Sequence, residues 1–150
     1  RGLGDVYKRQ LRKDIDELFS FLTDHSLRVG LISTGLTLLT DRFSRRYPVD
    51  FSIANHLLWE NGRLTGDVEI RVEHDGKGAA LGRFARSVGI RLSEIIAVGD
   101  GESDIPMFRA AGMGVGFASG GSVSEKMKRA ADVLVTADVA ALTAALNNLL

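Results

Sequence analysis

The 150 residues carry 19 basic and 19 acidic side chains, with 45% hydrophobic and 25% charged residues. That balance fits one domain with an ordinary core and leaves no electrostatic footprint for nucleic acid or an anionic membrane. The absence of cysteine excludes disulfides, thiolate metal sites and cysteine nucleophiles. No apolar run reaches the roughly 20 residues that cross a bilayer, and the N-terminus lacks the apolar core of a signal peptide, so a cytoplasmic protein is expected.

Arg1 to Gln10 shows no helical or strand period. Asp5 to Gln10 resembles a translated sequencing-adapter end, so residues 1–10 are expected to be a non-native scar and residues 11–150 the domain proper. From Leu11, apolar residues at Leu11, Ile15, Leu18, Phe19 and Leu22 predict an amphipathic helix. Arg28 to Thr34 is an apolar run that closes on hydroxyls and reads as a buried strand. Gly35 allows a tight turn, and a helix is expected over Leu36 to Arg46, ended by Pro48.

Phe51 to Trp59 is mixed, and Asn61-Gly62 is a strong hairpin signal. Val68, Ile70 and Val72 then alternate with Asp67, Glu69 and Arg71, which predicts a strand with one wet face. Lys77 opens a helix whose buried stripe is Leu81, Phe84, Ala85 and Val88, with Gly89 as its C-terminal cap. Ile95 to Val98 reads as a continuous apolar strand. Ser103 is the expected N-cap of a helix to Ala110 or Ala111. A strand over Met113 to Phe117, a helix capped by Ser122-x-x-Glu125, a strand over Val133 to Val135 and a helix over Asp138 to Leu149 complete the chain. The alternation predicts an α/β fold: a three-layer, Rossmann-like parallel sheet with a small β-hairpin insertion. Ligands of such folds sit beyond the carboxyl ends of the strands.

Ser33 and Asp100 both occupy strand ends of that kind. Asp100 follows an apolar strand between Gly99 and Gly101, and Asp104 lies four residues on at a helix start. Carboxylates so placed suit magnesium, which takes one or two of them with water and phosphate oxygens. The hydroxyls of Ser33 and Thr34 and the amides after them can bind a phosphate oxygen. Lys77 stands in a Gly-Lys-Gly turn where a cation opposes the helix dipole, which hints at an anionic partner. His25, His56 and His74 share no metal-ligand spacing, and Trp59 is expected beside the hairpin.

The ordered set resembles the haloacid-dehalogenase superfamily of phosphohydrolases. Leu31-Ile-Ser33 resembles its motif II, Lys77 its motif III, and Val98-Gly-Asp-Gly-Glu-Ser-Asp-Ile-Pro-Met107 its motif IV. Ile53-Ala-Asn-His56, Glu60 to Gly66 and Ala111-Gly-Met-Gly-Val115 are similar to the phosphoserine-phosphatase-like branch. The resemblance implies a magnesium-dependent phosphomonoester hydrolase that acts on a small phosphorylated metabolite through an aspartyl-phosphate intermediate. It implies that Ser33 and Thr34 bind the phosphoryl oxygens, that Lys77 neutralises charge, and that Asp100 ligates Mg2+. Asp104 would support the metal or orient Lys77. Ser103, where the family usually has asparagine, would join the phosphate-binding set in altered form.

The family's nucleophile motif, Asp-x-Asp at the end of a strand, does not precede Ser33. Asp14-Ile-Asp16 has the spacing but falls in the first helix and reads as a solvated face. The expectation is therefore an N-terminally truncated domain without the family's central first strand and its cap, poorly stable and inactive by itself. The competing readings are a non-catalytic binding or regulatory domain of the same fold and a receiver-like phosphoacceptor, and the hairpin argues against the latter.

Overall fold

The computed structural model describes residues 3–150, with side chains from residue 13 onward. β1 (Gly30–Leu36) pairs in parallel with β2 (Phe51–Glu60), which turns back antiparallel into β3 (Arg63–Glu69). β4 (Ile96–Gly99), β5 (Met113–Phe117) and β6 (Val133–Val135) form a second, wholly parallel sheet. The architecture is the expected α/β one. Its division falls between β1 and β4, which do not pair with each other among the described residues. That is where the family resemblance leaves out a strand.

Six helices cover these sheets: α1 (Leu3–Asp24), α2 (Thr37–Ser44), α3 (Lys77–Val88), α4 (Ile105–Ala110), α5 (Glu125–Ala130) and α6 (Val139–Leu149). On one face, Leu81, Phe84 and Ala85 of α3, Met107 and Phe108 of α4 and Met127 of α5 pack on Ile95 and Ala97. Ile32 of β1 and Phe51 of β2 join the same cluster, so α3 spans both sheets. Alternate strand residues point the other way. Val115 and Val135 meet Leu142 and Leu146 of α6, flanked by Leu18, Phe21 and Leu22 of α1. Each fully buried side chain of this size contributes about 1.5–3 kcal/mol.

A second seam joins α1 to α2. Phe19 stacks on Tyr47 with ring centroids 4.5 Å apart and meets Phe43 edge-on at 5.5 Å. Asp16 accepts hydrogen bonds from the Arg46 guanidinium at 3.2 Å and from the Tyr47 hydroxyl at 2.7 Å. Each layer therefore has one helix, α1 or α3, that bridges the divided sheet.

The local signals behave largely as expected. Asn61 and Gly62 both adopt positive φ, +50° and +76°, which is the primed turn that suits a two-residue hairpin. Gly89 caps α3 in the left-handed region and donates its amide to Ala85. The Asp138 carboxylate caps α6 by accepting the Ala141 amide.

Several expectations need correction. The first helix begins at Leu3, so its backbone takes in most of the segment set aside as a scar. β1 continues through Gly35 to Leu36, and its register with β2 shifts between Ile32 and Leu36. Both faces of β3 are wet, because no helix among the described residues packs closely on either of them; Val68 and Ile70 are exposed and only Val72 reaches the core. Ser124, not Ser122, caps α5 by accepting the Met127 amide. Ser103 lies inside a short 3-10 turn, Glu102–Asp104, instead of capping a helix. Asp14 is buried, not solvated, and Asp16 is bound as above.

β1 is partly accessible along nearly all its length, and Val98 of β4 is 37% exposed. Unpaired strand edges template association, and each buried unpaired backbone group costs about 1–3 kcal/mol. The isolated 150-residue chain is expected to self-associate and to melt over a broad range. A monomer with a sharp, reversible melt overturns this expectation.

A second prediction concerns acid. Asp50 accepts the Val29 amide at 2.8 Å and the Arg28 guanidinium at 2.7 Å, at the start of the β1–β2 pairing. The Val29 amide foremost holds the Asp50 carboxyl below its ordinary value; burial opposes it, and the Arg28 guanidinium adds to the lowering. The stabilisation is therefore complete above the unfolded value of about 3.9 and is lost as pH falls through the folded value. Asp50→Asn should lower stability at neutral pH and flatten its decline below about pH 4, as read by denaturant titration at stepped pH.

Candidate active site

Lys77 is the first residue of α3, and no side chain caps that helix end. A cation there is unfavourable against the helix dipole and needs a partner. Its Nζ donates to Asp104 Oδ1 at 2.5 Å, and the two side chains are only 10% and 4% exposed. The other Asp104 oxygen accepts the amides of Asp100 and Gly101, each at 3.0 Å. Both carboxylate oxygens are thus engaged, and the loop after β4 is folded around them.

Two glycines permit this approach. A Cβ on Gly99 would fall on the Asp104 carboxylate. A Cβ on Gly78 would stand 2.8 Å from the Pro106 carbonyl, so α3 can press against the start of α4 only because that atom is missing. Gly99 therefore serves the approach of Asp104.

Asp100 itself is exposed just beyond β4. Glu102, next in the loop, is tied to α5 by Lys126 at 2.9 Å. That bond first, and one to Ser124 second, hold the Glu102 carboxyl below its ordinary value. Ser103 is half-buried beside it. Ser33 and Thr34 lie at the register shift near the end of β1, where Ser33 Oγ accepts the Gly35 amide at 3.0 Å. α2 begins directly behind, with no side-chain cap on its first turn.

The structure thus joins Lys77, Asp104 and the Asp100 loop in one hydrogen-bonded unit. Ser33 and Thr34 form a second unit that touches the first through no direct hydrogen bond. The link between them is Asn55 on β2, whose side chain holds the Thr34 carbonyl and the backbone at Arg71 and Val72, just upstream of Lys77. Sequence reasoning quoted Asn55 only within a family-like string. Its signal was a polar residue at a strand position that turns out to be buried.

His56 Nδ1 pairs with the Thr37 hydroxyl at 2.9 Å, His25 is exposed and pairs with the Phe21 carbonyl, and Trp59 is half-exposed on the hairpin. Among the described residues no three carboxylate, histidine or cysteine side chains cluster in a way that would hold a metal alone. One exposed carboxylate at a strand tip, Asp100, still fits a magnesium ion that draws its other oxygens from water, phosphate and further groups.

Removing one partner of a buried ion pair leaves an uncompensated charge and costs about 3–5 kcal/mol. Lys77→Met and Asp104→Leu should each cost that much in denaturant titrations. The double variant should cost clearly less than the two losses added together. Additive losses would show that the pair is not coupled.

Comparison with known proteins places this geometry. The family model described as haloacid dehalogenase-like hydrolase matches residues 1–109. The chain is 41% identical over 115 residues to a phosphoserine phosphatase of Lactococcus lactis, covering 75% of this chain and 53% of that one. It is 34% identical over 112 residues to a phosphoserine phosphatase of Methanocaldococcus jannaschii, covering 74% and 53%. A substrate-bound phosphoserine phosphatase structure superposes with a TM-score of 0.75 at 31% identity, over 88% of this chain and 60% of that one. A phospho-aspartyl intermediate analogue of phosphoserine phosphatase superposes with a TM-score of 0.71 at 32% identity, over 81% and 57%. The chain spans about half the length of the curated relatives it matches. With a family match over most of its length and a shared fold, the chain belongs to the haloacid dehalogenase-like hydrolases.

Proposed function

We propose that this chain supplies the phosphate- and metal-binding part of a magnesium-dependent phosphomonoester hydrolase of phosphoserine-phosphatase type, and that its attacking carboxylate comes from outside these 150 residues. The observation that carries the reading is the Lys77–Asp104 pair, held buried at the tip of β4 with Asp100 exposed beside it. The relatives named phosphoserine phosphatase, one of them captured as a phospho-aspartyl analogue, support the reaction class and the small phosphorylated substrate.

The residues divide the work by what their atoms have left to offer. Lys77 carries three N–H donors and spends one on Asp104, so two remain for phosphoryl oxygens. Ser33 Oγ accepts from Gly35 and keeps its own proton to donate to a second phosphoryl oxygen. Thr34, Ser103 and the backbone amides beyond β1 can complete that shell. Asp100 would hold magnesium, which when bound polarises the phosphoryl group. With one oxygen on Lys77 and the other on the Asp100 and Gly101 amides, Asp104 acts as the positioning partner of Lys77.

The missing part is the nucleophile. Asp14 and Asp16 lie within α1, not at a strand end, and Asp16 is engaged with Arg46 and Tyr47. β1 and β4 are both edge strands of their sheets, so each can pair with a further strand, and a strand paired with them would carry an attacking aspartate to the same rim. The alternative, a non-catalytic binding domain, shares every residue described here and differs only in the absence of that strand.

The test joins the chain to the coding segment upstream of Leu11 in its source gene. The joined protein should hydrolyse phosphoserine or p-nitrophenyl phosphate only with magnesium, and lose activity with a chelator. The 150-residue chain should turn over neither. An extended protein that carries Asp-x-Asp and cleaves no phosphomonoester would refute the catalytic reading and favour the binding module.

A further inference from the structure

The register shift in β1 leaves the Thr34 carbonyl outside the β1–β2 ladder. Past the end of β3, the backbone at Arg71 and Val72 runs without a strand partner. One side chain satisfies both segments. Asn55 Nδ2 donates to the Thr34 carbonyl at 2.9 Å and to the Val72 carbonyl at 3.2 Å. Asn55 Oδ1 accepts the Arg71 amide at 2.8 Å and the Val72 amide at 2.9 Å. These four bonds use the whole capacity of an asparagine amide, at a residue 7% exposed. From Val72 a single turn, closed by Gly76 N–H to the Glu73 carbonyl at 3.0 Å, leads into Lys77.

We propose that Asn55 is a positioning residue that locks the Ser33-Thr34 tip of β1 to the segment entering Lys77, so that the hydroxyl and ammonium halves of the phosphate site keep one spacing. The proposal rests on the reading of Ser33, Thr34 and Lys77 given above. Asn55 has no donor or acceptor left for a ligand, so it acts only through the backbone it holds. The lock matters here because Arg71 and Val72 lie past the end of β3, so strand pairing does not set the distance between the two halves. No other side chain of similar size does the same work. Aspartate keeps the acceptors for Arg71 and Val72 but has no donor for the two carbonyls, and leucine has neither.

The experiment is a titration of the 150-residue chain with inorganic phosphate, with and without magnesium, followed by amide resonances. The wild-type protein should show shifts at Ser33 to Gly35 and near Lys77 with a common dissociation constant. Asn55→Asp should weaken phosphate about tenfold, as loss of an outer supporting contact does. It should move the Thr34 and Gly35 amides while Arg71 and Val72 keep their exchange protection. Leu142→Ala, in the α6 core, lowers stability without touching the lock and should leave phosphate affinity unchanged. A folded Asn55→Asp protein that binds phosphate within twofold of wild type overturns the proposal.

If wild type binds no phosphate, the functional reading fails, and the lock is judged by exchange alone. Amides at Thr34 to Leu36 and at Arg71 to Val72 that open together in the wild-type chain support it, and independent opening overturns it. That last measurement also decides the matter if the variants do not fold.

Discussion

The buried contact between Lys77 and Asp104 constrains everything around it. Two unit charges taken out of water lose several kcal/mol of hydration each, and proximity repays this only when the remaining donors and acceptors are also met. Asp104 meets its share by turning back on the loop and taking the Asp100 and Gly101 amides. That return path has no room for a side chain at residue 99, and the helix carrying Lys77 approaches α4 closely only because residue 78 is glycine. A motif that looks like a list of acids and glycines is therefore one object. The acids supply charge, and the glycines supply the absence of atoms that the charge requires.

The same contact does what the sheet does not. β1 and β4 belong to separate ladders, so hydrogen bonding between strands does not set the position of one strand tip against the other. The halves are held by α3, whose Leu81 and Phe84 reach the residues of both, by α1, which packs on α6 and meets Phe43 and Tyr47, and by the bond from Lys77 of α3 to Asp104 beyond β4. Helix packing tolerates small slides that a ladder forbids, since its contacts are non-directional. A site assembled across such a seam needs directional bonds of its own: Lys77 to Asp104 supplies one, and Asn55 fixes the β1 tip to the segment that leads into Lys77.

How much of this could be read from the sequence depends on the range of the interaction involved. Asn61-Gly62, Gly89 and Asp138 act on neighbours within a few residues, and their turn and caps stand where the pattern puts them. The apolar run before Asp100 and the helix opening at Lys77 are likewise local periodicities. The failures are questions of what lies opposite. Alternation in β3 shows which residues share a face, but not that neither face is covered. Serine at 122 and at 124 both precede a helix by plausible spacings, and only the observed Met127 amide chooses between them. The interval between Asp100 and Asp104 suits two carboxylates on one metal as well as one carboxylate folded back on two amides. In the structure Asp104 folds back on the two amides and meets Lys77, 27 residues away in sequence, a contact that no local pattern announces.

Committing Asp104 to Lys77 does not silence the lysine as an anion receptor. The carboxylate is met by two backbone dipoles as well as by the ammonium, and the ammonium keeps two N–H groups beyond the pair. The carboxylate also removes one rotational choice from a flexible four-carbon chain, so the two remaining N–H groups have a set direction before any phosphate arrives. Asp100, a short step along the same loop and exposed, stays free to meet a cation. The loop therefore carries an ammonium group and an exposed carboxylate close together, the first already paired with a buried carboxylate, which is the arrangement the proposed function draws on.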